Sequence, residues 1–183
     1  LSSYLRFGEI SARQVWHAAQ AVAAEHAEKG AAIGKFLSEL IWRDFNYHQL
    51  YHRPDIANVA MRDNLAGLGW RNDQPGFLAW TRGCTGIPII DAGMRQLWAT
   101  GWIHNRVRML VASFLVKNLL IDWRLGERWF WDTLVAAAVA SNPGNWQWIA
   151  GCGMDAAPYF RIFNPLLQGE RFDPDGTFVR RWL

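Results

Sequence analysis

The chain reads as an all-α protein of several helices that ends in a loop-rich C-terminal segment. Apolar residues recur at three- and four-residue intervals along most of the 183 residues. No stretch sustains the period-two alternation of a half-buried strand. The punctuation between periodic stretches is that of helix ends: a capping box, a first-turn proline and terminal glycines.

Ser11 followed by Gln14 forms a capping box, after which Val15, Ala18, Ala19, Val22 and Ala23 make an apolar stripe that stops before Gly30. Ile33, Phe36, Leu37, Leu40 and Ile41 carry a second helix. Residues 53 to 76, rich in Asn, Asp, Pro and Gly, read as a long irregular connection. Pro88 opens a helix that runs through Met94, Leu97 and Trp98 to Gly101, its C′ residue. From 104 to about 120, Val107, Leu110, Val111, Phe114 and Leu115 describe one buried face. A helix from 127 to about 140 follows, and Ser141-Asn142-Pro143-Gly144-Asn145 reads as the turn that stops it. Beyond Trp146, Gly151, Gly153, Pro158, Pro165, Gly169 and Asp173-Pro174-Asp175-Gly176 predict loops.

With 51% hydrophobic residues the length suits one domain with a sizeable core. No apolar run is long enough for a membrane helix, and the start lacks the pattern of a signal peptide, which predicts a soluble, cytoplasmic monomer. The missing initiator Met and the abrupt end at Trp182-Leu183 read as a piece cut from a longer chain. Cys84 and Cys152 stand far apart with no metal-ligand spacing. His48 and His52 share an i, i+4 spacing without a supporting acid between them and read as a helix surface, so no metal site is expected. The net charge of +3 does not by itself imply nucleic-acid binding, but 16 of the 19 basic residues are Arg, which suits phosphate contact and aromatic stacking as well as ordinary ion pairs. Twelve Trp can serve packing, base stacking or electron transfer.

Three clusters stand out. Asn105, Arg108, Met109 and Ala112 share a helix face that suits either the wall of a cavity for a flat polar ligand or a partly solvated side. Glu39, Trp42 and Arg43 set a carboxylate, an indole and a guanidinium side by side, although Glu39 and Arg43 could form a simple i, i+4 ion pair. In Asn142-Pro-Gly-Asn-Trp146-Gln-Trp148 two indoles follow a turn and point to different neighbours, so that one can meet a ligand while the other faces inward.

Five strings, in order along the chain, resemble the photolyase/cryptochrome family: Glu39-Leu-Ile-Trp-Arg-Asp-Phe45, Thr85-Gly-Ile-Pro-Ile-Ile-Asp-Ala92, the run from Met94 to Met109, Asn145-Trp-Gln-Trp148, and the run from Asp155 to Pro165. The resemblance is to the FAD-binding helical domain of a class I cyclobutane pyrimidine dimer photolyase, over residues 1–183. It implies light-driven repair of dimer-containing DNA, one non-covalent FAD, and an N-terminal α/β domain with an antenna pigment that this chain lacks. It further implies Leu1 and Ser2 at the FAD phosphates, Arg43, Trp102, Asn105 and Arg108 around the cofactor, and Asn142 near the flavin N5. Trp42 and Trp148 would flank a flipped dimer, Glu39 and Asn105 would hydrogen-bond its carbonyl edges, and Met109 would pack against it. Arg43, Arg106, Arg161 and Gln168 would contact DNA, the last three holding its backbone on either side of the cavity mouth. Trp146, Trp123 and Trp70 would relay electrons to the flavin. Met109 favours a cyclobutane dimer over a six-four photoproduct, because related enzymes for the latter place a proton-donating histidine there.

The chain departs from the family in two places, one of them Cys84, where a basic or polar residue is common. Where an Asp-x-Asp pair usually meets the flavin edge, it carries Ala136 and Ala138. The alternatives to repair are therefore a cryptochrome-like photoreceptor or a flavin-deficient remnant.

Overall fold

A computed structural model describes residues 1–63, 68–156 and 161–183. Residues 157–160, which include Pro158 and part of the fifth string, lie outside the described residues, as do residues 64–67 of the irregular connection. The helices are α1 (Ser2–Phe7), α2 (Ala12–Glu25), α3 (Gly30–His52), α4 (Gln74–Arg82), α5 (Pro88–Thr100), α6 (Asn105–Ser113), α7 (Trp123–Thr133), α8 (Ser141–Ala150), α9 (Pro165–Phe172) and α10 (Thr177–Trp182). No strand occurs among the described residues. The all-α expectation holds.

The middle of the molecule is α5. Its Ile90, Met94 and Leu97 are buried against Leu110 and Val111 of α6 and Trp80 of α4. The Trp80 indole donates to the Val111 carbonyl at 2.9 Å, which satisfies its polar edge inside the core. The run at Thr85–Ala92 is structural: buried Asp91 accepts from the N–H groups of Thr85 (2.7 Å) and Gly86 (2.9 Å), and so ties the turn to the helix it precedes. The irregular connection after Arg53 is held by the fully buried Gln147 of α8. Its amide donates to the Ile56 carbonyl at 2.6 Å and its Oε1 accepts from Met61 N–H at 2.8 Å. The capping box at Ser11 and the left-handed Gly101 (φ 66°) are as the sequence predicts.

Three expectations are corrected. The helix expected from 127 to about 140 is α7, which begins at Trp123 and ends at Thr133. Leu134 turns extended and is buried, and Val135 N–H donates to the Gly101 carbonyl at 3.0 Å, so the chain is drawn across to the end of α5. Alanine's helix propensity is a fraction of a kcal/mol per residue and yields to that anchoring. The turn expected at Ser141–Asn145 is the opening of α8, where Pro143 fits because first-turn N–H groups have no helical acceptor. The C-terminal segment also contains α9 and α10: the residues read as loop signals are their caps. Asn164 Oδ1 accepts from Leu166 N–H (3.0 Å) and Leu167 N–H (3.3 Å), and the Asp173 carboxylate accepts from Phe178 N–H (2.9 Å) and Val179 N–H (3.1 Å).

Candidate functional site

A cavity of about 410 Å³ opens where α3, α6 and α8 converge with the 134–140 segment. From α3 come Lys35, Glu39, Trp42, Arg43 and Asn46, whose spacing keeps them on one helix face. From α6 come Asn105, Arg108, Met109 and Ala112, the face the sequence singled out, and its cavity-wall reading is the one realised. Ala136 and Ala138 line the next wall, and Asn142, Trp146 and Trp148 of α8 complete it. Glu39 does not pair with Arg43, whose Nη1 instead stands 3.6 Å from Asp44 and whose guanidinium lies over the Tyr47 ring at 4.9 Å.

Two close approaches shape the cavity. A Cβ on Gly144 would run into Asn46 Oδ1, so the glycine lets α8 press against α3. A Cβ on Gly126 would run into the Trp146 ring, so the glycine lets α7 seat that indole. Trp146 is accordingly buried, edge-on to Phe130 at 5.0 Å, while Trp148 is half-buried and Trp42 is 46% exposed. The two indoles of α8 thus divide as their spacing implied, although both reach the cavity.

Arg108 is the dominant charge of the interior wall. Its Nε donates to the Ile103 carbonyl at 2.9 Å, and among the described residues no carboxylate lies within ion-pair distance of it. Burial lowers its pKa from the usual arginine value. An electron-rich partner in the cavity would offset that cost. Asn142 presents the complementary group. Its Nδ2 donates to both the backbone carbonyl and Oε1 of Glu127, each at 2.9 Å, so its Oδ1 is the end left for a ligand N–H. Glu127, which the sequence reading passed over, is buried, and burial pushes its carboxyl up. Only an i+15 contact reveals it, and no local pattern could have.

Leu1, Ser2 and Trp102 do not line this cavity. Leu1 and Ser2 are exposed, and α1 reaches the cavity's rim through Arg6, whose Nε donates to the Ala137 carbonyl at 2.6 Å. Trp102 is 48% exposed, against the ring of His104. Trp123 is buried in the same core as Trp146, and Trp70 packs against its margin. Arg71 N–H donates to the Leu120 carbonyl at 2.8 Å, which brings the Trp70 segment beside the turn that leads into Trp123.

A second depression, about 310 Å³, gathers Arg106, Arg161 and Gln168 with Arg171, which the sequence reading did not single out. The expectation that the first three flank the cavity mouth from opposite sides is corrected: they line one groove. The Arg106 and Arg171 guanidinium groups lie over the Phe172 ring at 4.6 and 5.3 Å, which fixes them without neutralising them. The helix α6 supplies both features, Arg106 to the groove and Arg108 to the cavity. No cluster of three or more potential metal ligands occurs among the described residues, and no described helix is long and apolar enough to cross a membrane.

The family described as the FAD binding domain of DNA photolyase matches residues 36–183. A deoxyribodipyrimidine photo-lyase of Agrobacterium fabrum is 56% identical over all 183 residues, which span 38% of that protein's length. A crystal structure of a bacterial class III photolyase from Agrobacterium tumefaciens superposes with a TM-score of 0.93 at 56% identity, covering 100% of this chain and 37% of that one. A Synechocystis cryptochrome superposes with a TM-score of 0.92 at 38% identity, again over 100% of this chain and 37% of the other. The expectation of class I is corrected by the first of these structures, which is of class III. The matched family is one of FAD-binding domains, and FAD is the cofactor it implies. Its ring system fits the residues present: a cavity in the size range of small-molecule sites, a partly buried guanidinium with no anion of the described residues beside it, an amide acceptor turned inward and aromatic walls. The chain belongs to the family of DNA photolyase FAD-binding domains.

Proposed function

We propose that the chain is the catalytic part of a DNA-repair lyase that splits cyclobutane pyrimidine dimers, the chemistry supplied by bound FAD being light-driven one-electron donation to a dimer flipped out of the helix. The observation that carries this reading is α6, which joins an interior cavity suited to a flat ligand to an exposed groove of three arginines. Arg106, Arg161 and Gln168, with Arg171, contact the DNA backbone. A dimer leaves the stack at a cost of a few kcal/mol, least for damaged bases. Stacking on Trp42 and Trp148, worth about 1–3 kcal/mol per base, offsets it. Asn105 donates to a base carbonyl, Glu39 accepts from a ring N–H, and Arg43 adds positive charge at the opening. Met109 packs against the dimer and, having no transferable proton, suits the cyclobutane lesion.

On the cofactor side Arg108 and Asn142 address the flavin. Leu1 and Ser2 serve its phosphates, and Trp102 supports the site from outside the cavity. Trp146, Trp123 and Trp70 form the route by which electrons reach the interior. The reading places the working protein in the cytoplasm as a monomer, which the two free cysteines suit.

The test is repair of an oligonucleotide carrying a cyclobutane thymine dimer, followed under blue light and in darkness. Light-dependent restoration of the two thymines is expected, and dimer binding without repair in either condition would overturn the reading.

A further inference from the structure

Lys117 is a buried lysine outside the cavity. It lies in the π-helical turn Phe114–Asn118 that continues α6, an irregularity of a kind that concentrates at functional sites. Its ammonium donates to the backbone carbonyl of Arg161. Four residues earlier, the fully buried Ser113 accepts the Phe163 N–H on its hydroxyl at 3.3 Å. The segment that carries Arg161 is therefore pinned to one helical run at two points. The Arg161 guanidinium in turn lies over the Phe163 ring at 4.8 Å, and that ring is sunk in the core. Lys117 does not line the groove, whereas Arg161 does.

We propose that Lys117 is a positioning residue for nucleic-acid binding: by gripping the Arg161 carbonyl from the buried side, it holds that guanidinium where a DNA phosphate meets the groove. The proposal rests on the DNA-repair reading of the groove. It also gives the grip a pH dependence. Burial first, and the charge of Arg161 second, bring the Lys117 ammonium down to about 8. Among the described residues Arg161 is the charged group that acts on it. Of the elements packed against this turn, α8 carries no charged side chain, and Arg106 and Arg108 of α6 and Arg124, Glu127, Arg128 and Asp132 of α7 are not among the causes of its shift. As pH rises through that value Lys117 loses its proton, its hydrogen bond to the carbonyl weakens, and one positive charge leaves the neighbourhood of the phosphate.

The experiment measures binding of a fluorescent duplex that carries a cyclobutane thymine dimer to the 183-residue chain, at constant ionic strength, from about pH 6.5 to about 9.5. The unmodified chain should lose about three- to tenfold in affinity across that range, with its midpoint near 8. Lys117→Arg, a cation that does not titrate there, should keep the tight value throughout. Lys117→Met should sit at the weak value at every pH. Equal declines in the unmodified chain and Lys117→Arg would overturn the proposal, as would full affinity in Lys117→Met. Should the Met variant unfold, the comparison with Lys117→Arg still decides. Arg161→Ala separates the two readings. If it binds as tightly as the unmodified chain, the DNA reading of the groove falls and this inference with it. If binding depends on Arg161 but not on Lys117, this inference alone falls.

Discussion

Arg106 and Arg108 stand two positions apart on α6, yet one faces a solvated groove and the other a cavity wall. In the groove three guanidinium groups sit together over aromatic rings and stay hydrated, so their mutual repulsion is screened by salt. In the cavity the Arg108 guanidinium is desolvated, and among the described residues no carboxylate lies within ion-pair distance of it. Burial, not residue type, therefore separates a surface that attracts any polyanion from a site that demands a particular electron-rich partner.

The comparison is tested most sharply by giving Arg108 the partner it lacks. Ala136→Asp with Ala138→Asp should tighten FAD retention about ten- to hundredfold, since a charge-assisted hydrogen bond contributes about 1.5–3 kcal/mol. The flavin-to-protein absorbance ratio reads this directly, and an unchanged ratio would mean that the cavity already meets the needs of Arg108. Next in size, Trp42→Ala should cost about 1–3 kcal/mol of affinity for dimer-containing DNA and leave undamaged DNA unaffected, because stacking acts only on a base inside the cavity. Titrations on both duplexes check this, and equal losses would place Trp42 functionally with the groove. Arg106→Ala or Arg161→Ala should do the reverse. Binding of both DNAs should weaken alike, and the dependence of log affinity on log salt should flatten by about one unit. A loss confined to damaged DNA would break the division between the two regions.

The smallest effect concerns Glu127. Its folded-state pKa is raised by burial, so between its unfolded and folded values the native state binds more protons, and stability falls as pH rises through that window. Glu127→Gln keeps an acceptor for Asn142 and removes the titration. The variant should gain thermal stability over the unmodified chain at neutral pH and lose that advantage below the ordinary carboxylate range, which melting curves at the two pH values would show.

Much of the site was legible because it follows helical spacing. Asn105, Arg108, Met109 and Ala112 repeat at i, i+3, i+4 and i+7, and Glu39, Trp42 and Arg43 stand at i, i+3 and i+4 on α3, with Asn46 at the unread i+7 position, so each set had to share a face wherever its helix lay. Glu127 and Arg171 were not legible: each acquires its place from a partner distant in sequence or from the convergence of separate elements. The boundaries that went astray have the same origin. The alanines at 136–138 favour a helix locally, but Leu134 is buried and Val135 is bonded to Gly101, and those contacts exist only after α5 and α7 have packed.

The sequence by itself determined the helical class, the caps at Ser11 and Gly101, the cavity faces of α3 and α6, and, through its linear strings, the family. Each of these is a property of residues a few positions apart. Only the tertiary structure decided that α6 serves a cavity on one side and a groove on the other. It also decided that Arg106, Arg161 and Gln168 share that groove, and that the Arg108 guanidinium is desolvated with no carboxylate of the described residues within ion-pair distance. Charge becomes costly or cheap according to the solvent removed around it, and desolvation is set by every element that packs nearby, not by the segment that carries the charge.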